Sequence, residues 1–344
     1  MVQTSRHSEL LSAWRALAGT PPGEGWRTIQ IAQAGPCRFL AGRHFPGNQE
    51  ALIAGFQQAK RPQQSQLPEG RGFTARIEEM PGTSPASTWI ALCRLPAGSA
   101  ELFSLMAEDL IVCADLALDL EGSVALANFL SRIRAWQDFM KKDQAPKLSG
   151  HAETGLYGEL MMLRQLMRAG LPPGTVVKGW LGPEDGIHDL RLFAGAIEVK
   201  TALVKGTFPA HIGSLQQLDL SLVSPIYLSA IRLLIDDSGE TLTDLVKSVR
   251  GDALVDAQAL SLLNLKLLQA GYLDGVAASY TRRFTAFEMR MLEIDSDFPA
   301  LTEGNVPSGV ISAQYQIDID QCPGPSRELD YVIQHLGVSQ RESQ

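Results

Sequence analysis

The most constraining feature of the sequence is a short apolar strand that carries two charges on one face. In GIHDLRLFAGAIEVKTALVKG, residues 186–206, an Ala-Gly pair predicts a tight turn between the strands His188–Phe193 and Ala196–Leu203. Glu198 and Lys200 lie two residues apart, so both side chains project from the same face of the second strand. Two charges buried there without partners would cost several kcal/mol. The fold must therefore supply groups that compensate them.

Nearby carboxylates indicate what those groups are. Asp189 lies early in the preceding strand, and Glu159 lies within the apolar stripe of a helix predicted over Glu153–Ala169. Gly155 and Gly158 are expected to let this helix approach the sheet closely. Carboxylate oxygens bind hard divalent cations, which lower the pKa of bound water, and a nearby ammonium can stabilise charge on a phosphate. The pattern favours hydrolytic phosphodiester chemistry.

A simpler interpretation is a half-exposed hairpin on which Glu198 and Lys200 form a surface ladder. The spacing D-x8-E-x-K occurs often by chance and does not distinguish the two interpretations. The order of neighbouring elements favours the first one. A further strand is predicted at Val176–Trp180, a short helix at Ser214–Leu222 and a buried strand at Pro225–Ile235, which gives the order α-β-β-β-α-β.

Three motifs within this order resemble a known family. GLYGEL, the pair GIHD and IEVKT, and HIGSLQQLD resemble the PD-(D/E)XK (restriction-endonuclease-like) superfamily, and more narrowly a bacterial family of PD-(D/E)XK motif proteins found beside phage-defence and restriction genes. The motifs span residues 150–235, and YLSAIRLL, TLTDLVKSVR and SDFPAL extend the likeness toward the C-terminus. The resemblance implies an α/β (α+β) fold with a restriction-endonuclease-like αβββαβ core, and Mg²⁺-dependent cleavage of DNA.

The resemblance also implies roles for individual residues. Asp189 and Glu198 would bind the metal ion, Lys200 would be the catalytic lysine, and Glu159 would be the helix carboxylate and a third metal ligand. The implied cofactor is Mg²⁺, for which Mn²⁺ can substitute, and the implied partner is DNA. Other defence-system proteins and a second copy of the chain, forming a homodimer, are further candidate partners.

Other polar residues have weaker claims to a role. Gln217 matches the polar residue that follows the core strands in the superfamily and is included among the catalytic candidates, with Gln216 as a second choice for that place. His188 stands where the literal Pro of the motif would be. His188 and His211 could be structural or catalytic, and Arg282 and Arg283 could contact phosphate or lie on an exposed strand face.

The remainder of the chain predicts additional domains. Short β-like segments separated by PPGEG, QAGP, PGN and MPGTSP occupy residues 26–95, and helical spacing follows over Ala100–Asp119 and Ser123–Lys142. The N-terminal strands are expected to form their own core and to contribute no ligand to the site. The predicted domains are a β-rich N-terminal domain with a linking helix (1–120), a nuclease-like core (121–240) and a C-terminal α/β extension (241–344).

Composition limits the partners and the compartment. Thirty Lys and Arg against 38 Asp and Glu give a net charge of −8, so any contact with nucleic acid must be local. A local excess of basic residues between Arg132 and Lys178 could follow a DNA backbone or form the solvated faces of two helices. Four cysteines without a CxxC pair favour free thiols, and no apolar run is long enough to span a membrane. A cytoplasmic location is expected.

Two functions from different classes remain open at this point. The first is a Mg²⁺-dependent endonuclease in phage defence or restriction. The second is a degenerate nuclease fold that binds nucleic acid or a protein partner without cleaving anything. The intact set of Asp189, Glu198 and Lys200 favours the enzyme. Other metal-dependent hydrolases are disfavoured because HExxH, GxSxG and P-loop motifs are absent from the sequence.

Overall fold

A computed structural model describes residues 6–19, 23–80, 87–115, 120–141, 145–203 and 205–337. The chain forms two compact units, Met1–Pro146 with Leu273–Val276, and Lys147–Tyr272 with Ala277–Gln344. The domain boundaries at 120 and 240 stay predictions, because contacts within a folded chain do not test which segments fold independently. None of the helices within the described ranges is both long enough and apolar enough to cross a membrane.

The first unit is built on an antiparallel sheet of six strands in the order β1-β2-β3-β6-β5-β4. The strands are β1 (Gly25–Ala34), β2 (Cys37–Phe45), β3 (Gln49–Gln57), β4 (Glu69–Gly70), β5 (Phe73–Glu78) and β6 (Ser87–Arg94). The helices are α1 (Arg6–Ala16), α2 (Ala100–Asp115) and α3 (Gly122–Lys141). Phe129 of α3 packs against Phe39 and Phe56, with ring centroids 6.3 and 5.2 Å away. These six strands form one sheet, and the expectation that they fold around a core of their own stays a prediction.

The second unit contains a mixed sheet in the order β11-β10-β8-β7 and a two-stranded sheet, β12-β9. Its strands are β7 (Leu190–Leu192), β8 (Gly195–Ala202), β9 (Pro209–Ile212), β10 (Ile226–Thr241), β11 (Arg283–Glu293) and β12 (Tyr315–Asp318). Its helices are α4 (Gly150–Arg168), α5 (Pro173–Gly179), α6 (Leu242–Ala253), α7 (Ala257–Gln269) and α8 (Leu329–His335). Strand β8 pairs parallel to β10 and antiparallel to β7. The predicted α+β fold class, a sheet flanked by helices, is confirmed.

Two elements of the predicted α-β-β-β-α-β order were wrong. The expected strand Val176–Trp180 lies largely in helix α5, which begins at Pro173, where a proline fits the first helical turn. Its two valines are buried in this helix, which packs on α7. The expected helix Ser214–Leu222 consists largely of turns. The side chain of Asp219 accepts the Ser221 N–H, which a helix would direct to a backbone carbonyl, and Gln217 accepts the N–H of Gly213 just before the segment.

Helix α4 lies unusually close to strand β8. A Cβ atom added at Gly158 would lie 1.8 Å from Thr201 Oγ1, so only glycine fits there. A Cβ atom at Gly155 would meet nothing within 4 Å. The expectation that glycine permits close packing is therefore confirmed for Gly158 and wrong for Gly155.

The face of the main sheet that carries Glu198 and Lys200 is also covered by apolar residues. Leu228 and Ala230 on β10 pair in register with these two residues. They belong to a buried apolar cluster that also draws on β9, β12 and the turns between Gly213 and Pro225. The charged face of β8 is thus part of the protein interior.

The close packing of α4 on β8 generates a matched pair of substitutions. We expect Gly158→Ala to lower the free energy of unfolding by about 1–3 kcal/mol, because the added methyl group collides with Thr201. Gly155→Ala should instead leave stability unchanged or raise it by up to about 1 kcal/mol, since alanine favours a helix and has room there. Urea unfolding followed by circular dichroism measures both variants. Equal effects would contradict the close contact.

Candidate active site

Glu198 and Lys200 form a buried ion pair on strand β8. Lys200 Nζ lies 2.6 Å from Glu198 Oε1, and the two side chains are 17% and 1% exposed. The second carboxylate oxygen, Oε2, is buried and has no hydrogen-bond partner. This burial excludes the interpretation of the pair as a surface ladder on a half-exposed hairpin.

Gln217 holds the carboxylate of Glu198 from the side. Its Nε2 donates a hydrogen bond of 2.8 Å to Glu198 Oε1, and its Oε1 accepts one of 2.8 Å from the backbone N–H of Gly213. The two bonds together fix the orientation of the amide. Gln216, the second choice for this place, instead donates to exposed Glu303 at 2.6 Å. The structure thus brings Gln217 to the site.

Asp189 lies immediately before β7 and reaches toward the same strand. Its Oδ2 accepts a hydrogen bond of 2.7 Å from the backbone N–H of Val199, the residue between Glu198 and Lys200. The short turn between β7 and β8 brings the aspartate alongside, because the antiparallel pairing sets Leu190 opposite Ile197. The short turn therefore places the Asp189 side chain beside Val199, between Glu198 and Lys200.

Glu159 reaches the site from helix α4, where Trp180 bonds to it and Gly182 lies close to it; the sequence pattern predicted neither contact. Trp180, which is fully buried, donates its indole N–H to Glu159 Oε2 at 2.7 Å. A Cβ atom at Gly182 would lie 2.5 Å from Glu159 Oε2 and 3.2 Å from Asp189 Oδ1, so both oxygens lie close to one point. A buried tryptophan needs an acceptor for its N–H, and that requirement is the signal that points to Trp180.

The three carboxylates share one low-dielectric site. Burial, reinforced by the negative charge of Asp189, raises the pKa of Glu159 to about 8 and the pKa of Glu198 to about 8. Burial also raises the pKa of Asp189, while the Lys200 ammonium opposes the shift in all three residues. When all three carboxylates ionise, a single ammonium leaves two negative charges uncompensated.

The residues fit a divalent cation in charge and in donor type. Carboxylate oxygens are the ligands that Mg²⁺ prefers, and Glu198 Oε2 is a buried acceptor without a partner. Within the described ranges, no group of three or more His, Cys, Asp or Glu side chains already has the arrangement of a metal site. Oxygens of all three carboxylates bond to protein groups instead, Glu198 to Lys200 and Glu159 to Trp180 among them. Ion binding therefore requires local movement of these side chains.

Of the other sequence candidates, none contacts the carboxylates. His188 is buried beside Asp189, its Nε2 has no partner and burial lowers its pKa, whereas His211 is exposed on β9. Arg282 donates to Glu153 at 2.8 and 3.0 Å and to a backbone carbonyl in the first turn of α4. Arg282 is thus engaged in holding the start of that helix.

Four residues of the expected basic strip form local ion pairs, namely Arg132, Lys141, Arg164 and Arg168. Arg132 pairs with Asp109 within the first unit, and Arg164 pairs with Glu240 within the second. Their charges are neutralised locally. Of the two interpretations of this strip, these pairs favour helix faces with local ion pairs over a continuous track for a DNA backbone.

Most of the chain matches the model of a known family. The model of the family described as "Putative PD-(D/E)XK family member, (DUF4420)" matches residues 10–320. The chain therefore belongs to this family. No curated protein and no solved structure matches the chain.

The raised pKa values of these carboxyl groups predict a pH dependence of stability. A carboxyl group whose pKa rises from 4.5 when unfolded to about 8 when folded holds its proton more tightly in the folded state. Stability is therefore highest below pH 4.5 for this group and is lost as the pH rises toward 8. We expect Glu159→Gln to reduce this loss, because the amide accepts the Trp180 hydrogen bond without ionising.

Urea unfolding in EDTA at pH 5, 7 and 8.5 measures this effect. The wild type should lose more stability between pH 5 and pH 8.5 than Glu159→Gln does. Asp237→Asn, which removes an exposed carboxylate elsewhere on β10, serves as the matched control and should follow the wild type. Parallel pH profiles for the wild type and Glu159→Gln would show that the ionisation of Glu159 does not contribute to the loss of stability.

Proposed function

We propose that this protein is a Mg²⁺-dependent endonuclease that hydrolyses phosphodiester bonds in DNA. The observation that carries the proposal is the convergence of half-buried Glu159 and Asp189 and buried Glu198 around one lysine, in a family named for this motif. Such a cluster of like charges is costly unless it serves a ligand of opposite charge. Asp189, Glu198 and Glu159 would hold the ion.

The contacts of these residues indicate a separate role for each of them. A bound Mg²⁺ would lower the pKa of a coordinated water and balance negative charge on the phosphate. Lys200 is the cation of the cluster and is partly exposed, so its ammonium can stabilise charge on a phosphate or orient the attacking water. Gln217 bonds to one oxygen of Glu198 and leaves the other available, while Trp180 orients Glu159.

The choice of DNA as substrate follows from the family and not from a basic surface. The net charge of −8 disfavours nonspecific binding to nucleic acid, so contacts with a phosphate backbone must be few and close to the site. A role in phage defence or restriction, and association with other defence proteins or with a second copy of the chain, are further parts of the proposal that rest on the resemblance alone. Mn²⁺ is expected to replace Mg²⁺.

One observation favours a second function, a binding module without cleavage activity. Lys200 already neutralises part of the charge of Glu198 at 2.6 Å, and the described carboxylates do not yet form a three-ligand site. A fold that had lost its metal could be stabilised by this ion pair. The module would bind nucleic acid or a protein partner equally well with and without divalent ions.

Substitution of the two charged residues of β8 distinguishes their roles. Glu198→Ala should weaken Mn²⁺ binding because it removes a ligand. Lys200→Ala should leave Mn²⁺ binding largely intact and slow plasmid cleavage by at least about 100-fold, because the lysine acts on water and phosphate and not on the ion. Calorimetric titration with Mn²⁺ and a plasmid cleavage assay measure both properties. Lys247→Ala, at an exposed position on α6, is the matched control.

Two results would overturn the proposal in different ways. A wild type that cuts neither DNA nor RNA with Mg²⁺ or Mn²⁺, and binds DNA equally with and without metal, would establish the binding module. If the wild type cuts DNA and Lys200→Ala cuts it equally fast, the chemistry takes place elsewhere in the chain.

A further inference from the structure

The turn that follows helix α5 contacts two of the three carboxylate residues. Trp180 donates its indole N–H to the Glu159 side chain, and the backbone N–H groups of Leu181 and Gly182 donate to the carbonyl of Asp189 at 2.7 and 3.1 Å. The absence of a side chain at Gly182 is what leaves room for the carboxylates of both acids. The position of this turn, residues 180–182, therefore sets the positions of Glu159 and Asp189.

Lys266 binds this turn from helix α7. Its Nζ donates to the backbone carbonyls of Trp180 and of Lys178, the latter at 3.3 Å, and lies 3.1 Å from Glu184 Oε1. These three partners all lie between residues 178 and 184. The ammonium thus ties the end of α5 to the segment that follows it.

Because Lys266 is buried, the loss of any of these partners would be costly. The side chain is 2% exposed, and lysine is rarely buried to this degree unless its charge is paired. Taking the ammonium out of water is costly, so each lost partner would leave a charged donor unsatisfied. Lys266 therefore favours one arrangement of the turn. An apolar residue at this position would fill space on α7 without selecting that arrangement.

We propose that Lys266 is a positioning residue for the candidate ion site, acting through the turn 180–182 on Glu159 and Asp189. The consequence for ion binding rests on the proposed function, whereas the holding of the turn does not require an ion. Groups that orient metal ligands from outside the coordination sphere commonly change metal affinity by about 10–100-fold. A purely structural role in packing α5 on α7 would change stability and leave ion affinity unaltered.

The first measurement tests the turn without any metal. Hydrogen exchange followed by mass spectrometry reports the protection of the Leu181 and Gly182 amides. In Lys266→Met, which retains length and loses charge, these amides should exchange about tenfold faster than in the wild type. Lys266→Arg keeps the charge and should restore part of the protection. Lys247→Met, on the exposed face of α6, should exchange like the wild type in this segment.

The second measurement tests the consequence for the ion. Calorimetric titration should give an Mn²⁺ affinity about 10–100-fold weaker for Lys266→Met, with Lys266→Arg between the two. Trp180→Phe removes the indole donor and keeps an aromatic ring. In the Trp180→Phe background, Lys266→Met should weaken Mn²⁺ binding by a smaller factor, because part of its effect passes through the bond to Glu159.

The outcomes separate the inference from the proposed function. Faster exchange together with weaker Mn²⁺ binding supports the positioning role. Unchanged exchange in the turn, or unchanged affinity despite faster exchange, overturns it. A wild type that binds no Mn²⁺ overturns the proposed function, and the exchange data then still decide whether Lys266 holds the turn. If Lys266→Met does not fold, Lys266→Gln replaces it in both measurements.

Discussion

The removal of three neighbouring carboxylates from water, beside a single ammonium, is the constraint on which the candidate site depends. Desolvation raises the pKa of Glu159, Asp189 and Glu198, the negative charge of Asp189 adds to the shift of both glutamates, and one ammonium cannot neutralise all three groups. The surrounding structure consists largely of groups that tolerate or offset this cost. Helix α4 can approach β8 because residue 158 is glycine, and that approach brings the neighbouring Glu159 to the sheet.

Each carboxylate is held by a donor from a different part of the chain. Gln217 holds Glu198 from the turns after β9, the backbone of β8 holds Asp189, and Trp180 holds Glu159 from the end of α5. Because these donors come from separate elements, their geometry depends on the packing of those elements. Lys266 on α7 acts one step further from the carboxylates, because it binds the turn 180–182, which in turn contacts Glu159 and Asp189.

Periodicity predicted most of the fold and failed at two short segments, for two different reasons. The strands of the first unit, α4 and the β7-β8 hairpin follow from alternation and helical spacing. Val176–Trp180 was predicted as a strand because a short apolar run does not distinguish a buried strand from a buried helix. Ser214–Leu222 was predicted as a helix, but Gln217 and Asp219 use their side chains to close turns instead.

The sequence by itself determined which residues share a face. The two-residue spacing of Glu198 and Lys200 and the turn after Asp189 are local, and strand geometry alone brings those groups together. Only the tertiary structure decided how Glu159 meets them and which groups hold it. Trp180, Gly182 and Lys266 lie 21, 23 and 107 residues from Glu159, and no periodic pattern links positions so far apart. Their association depends on the packing of α4, α5 and α7, which is a property of the folded chain.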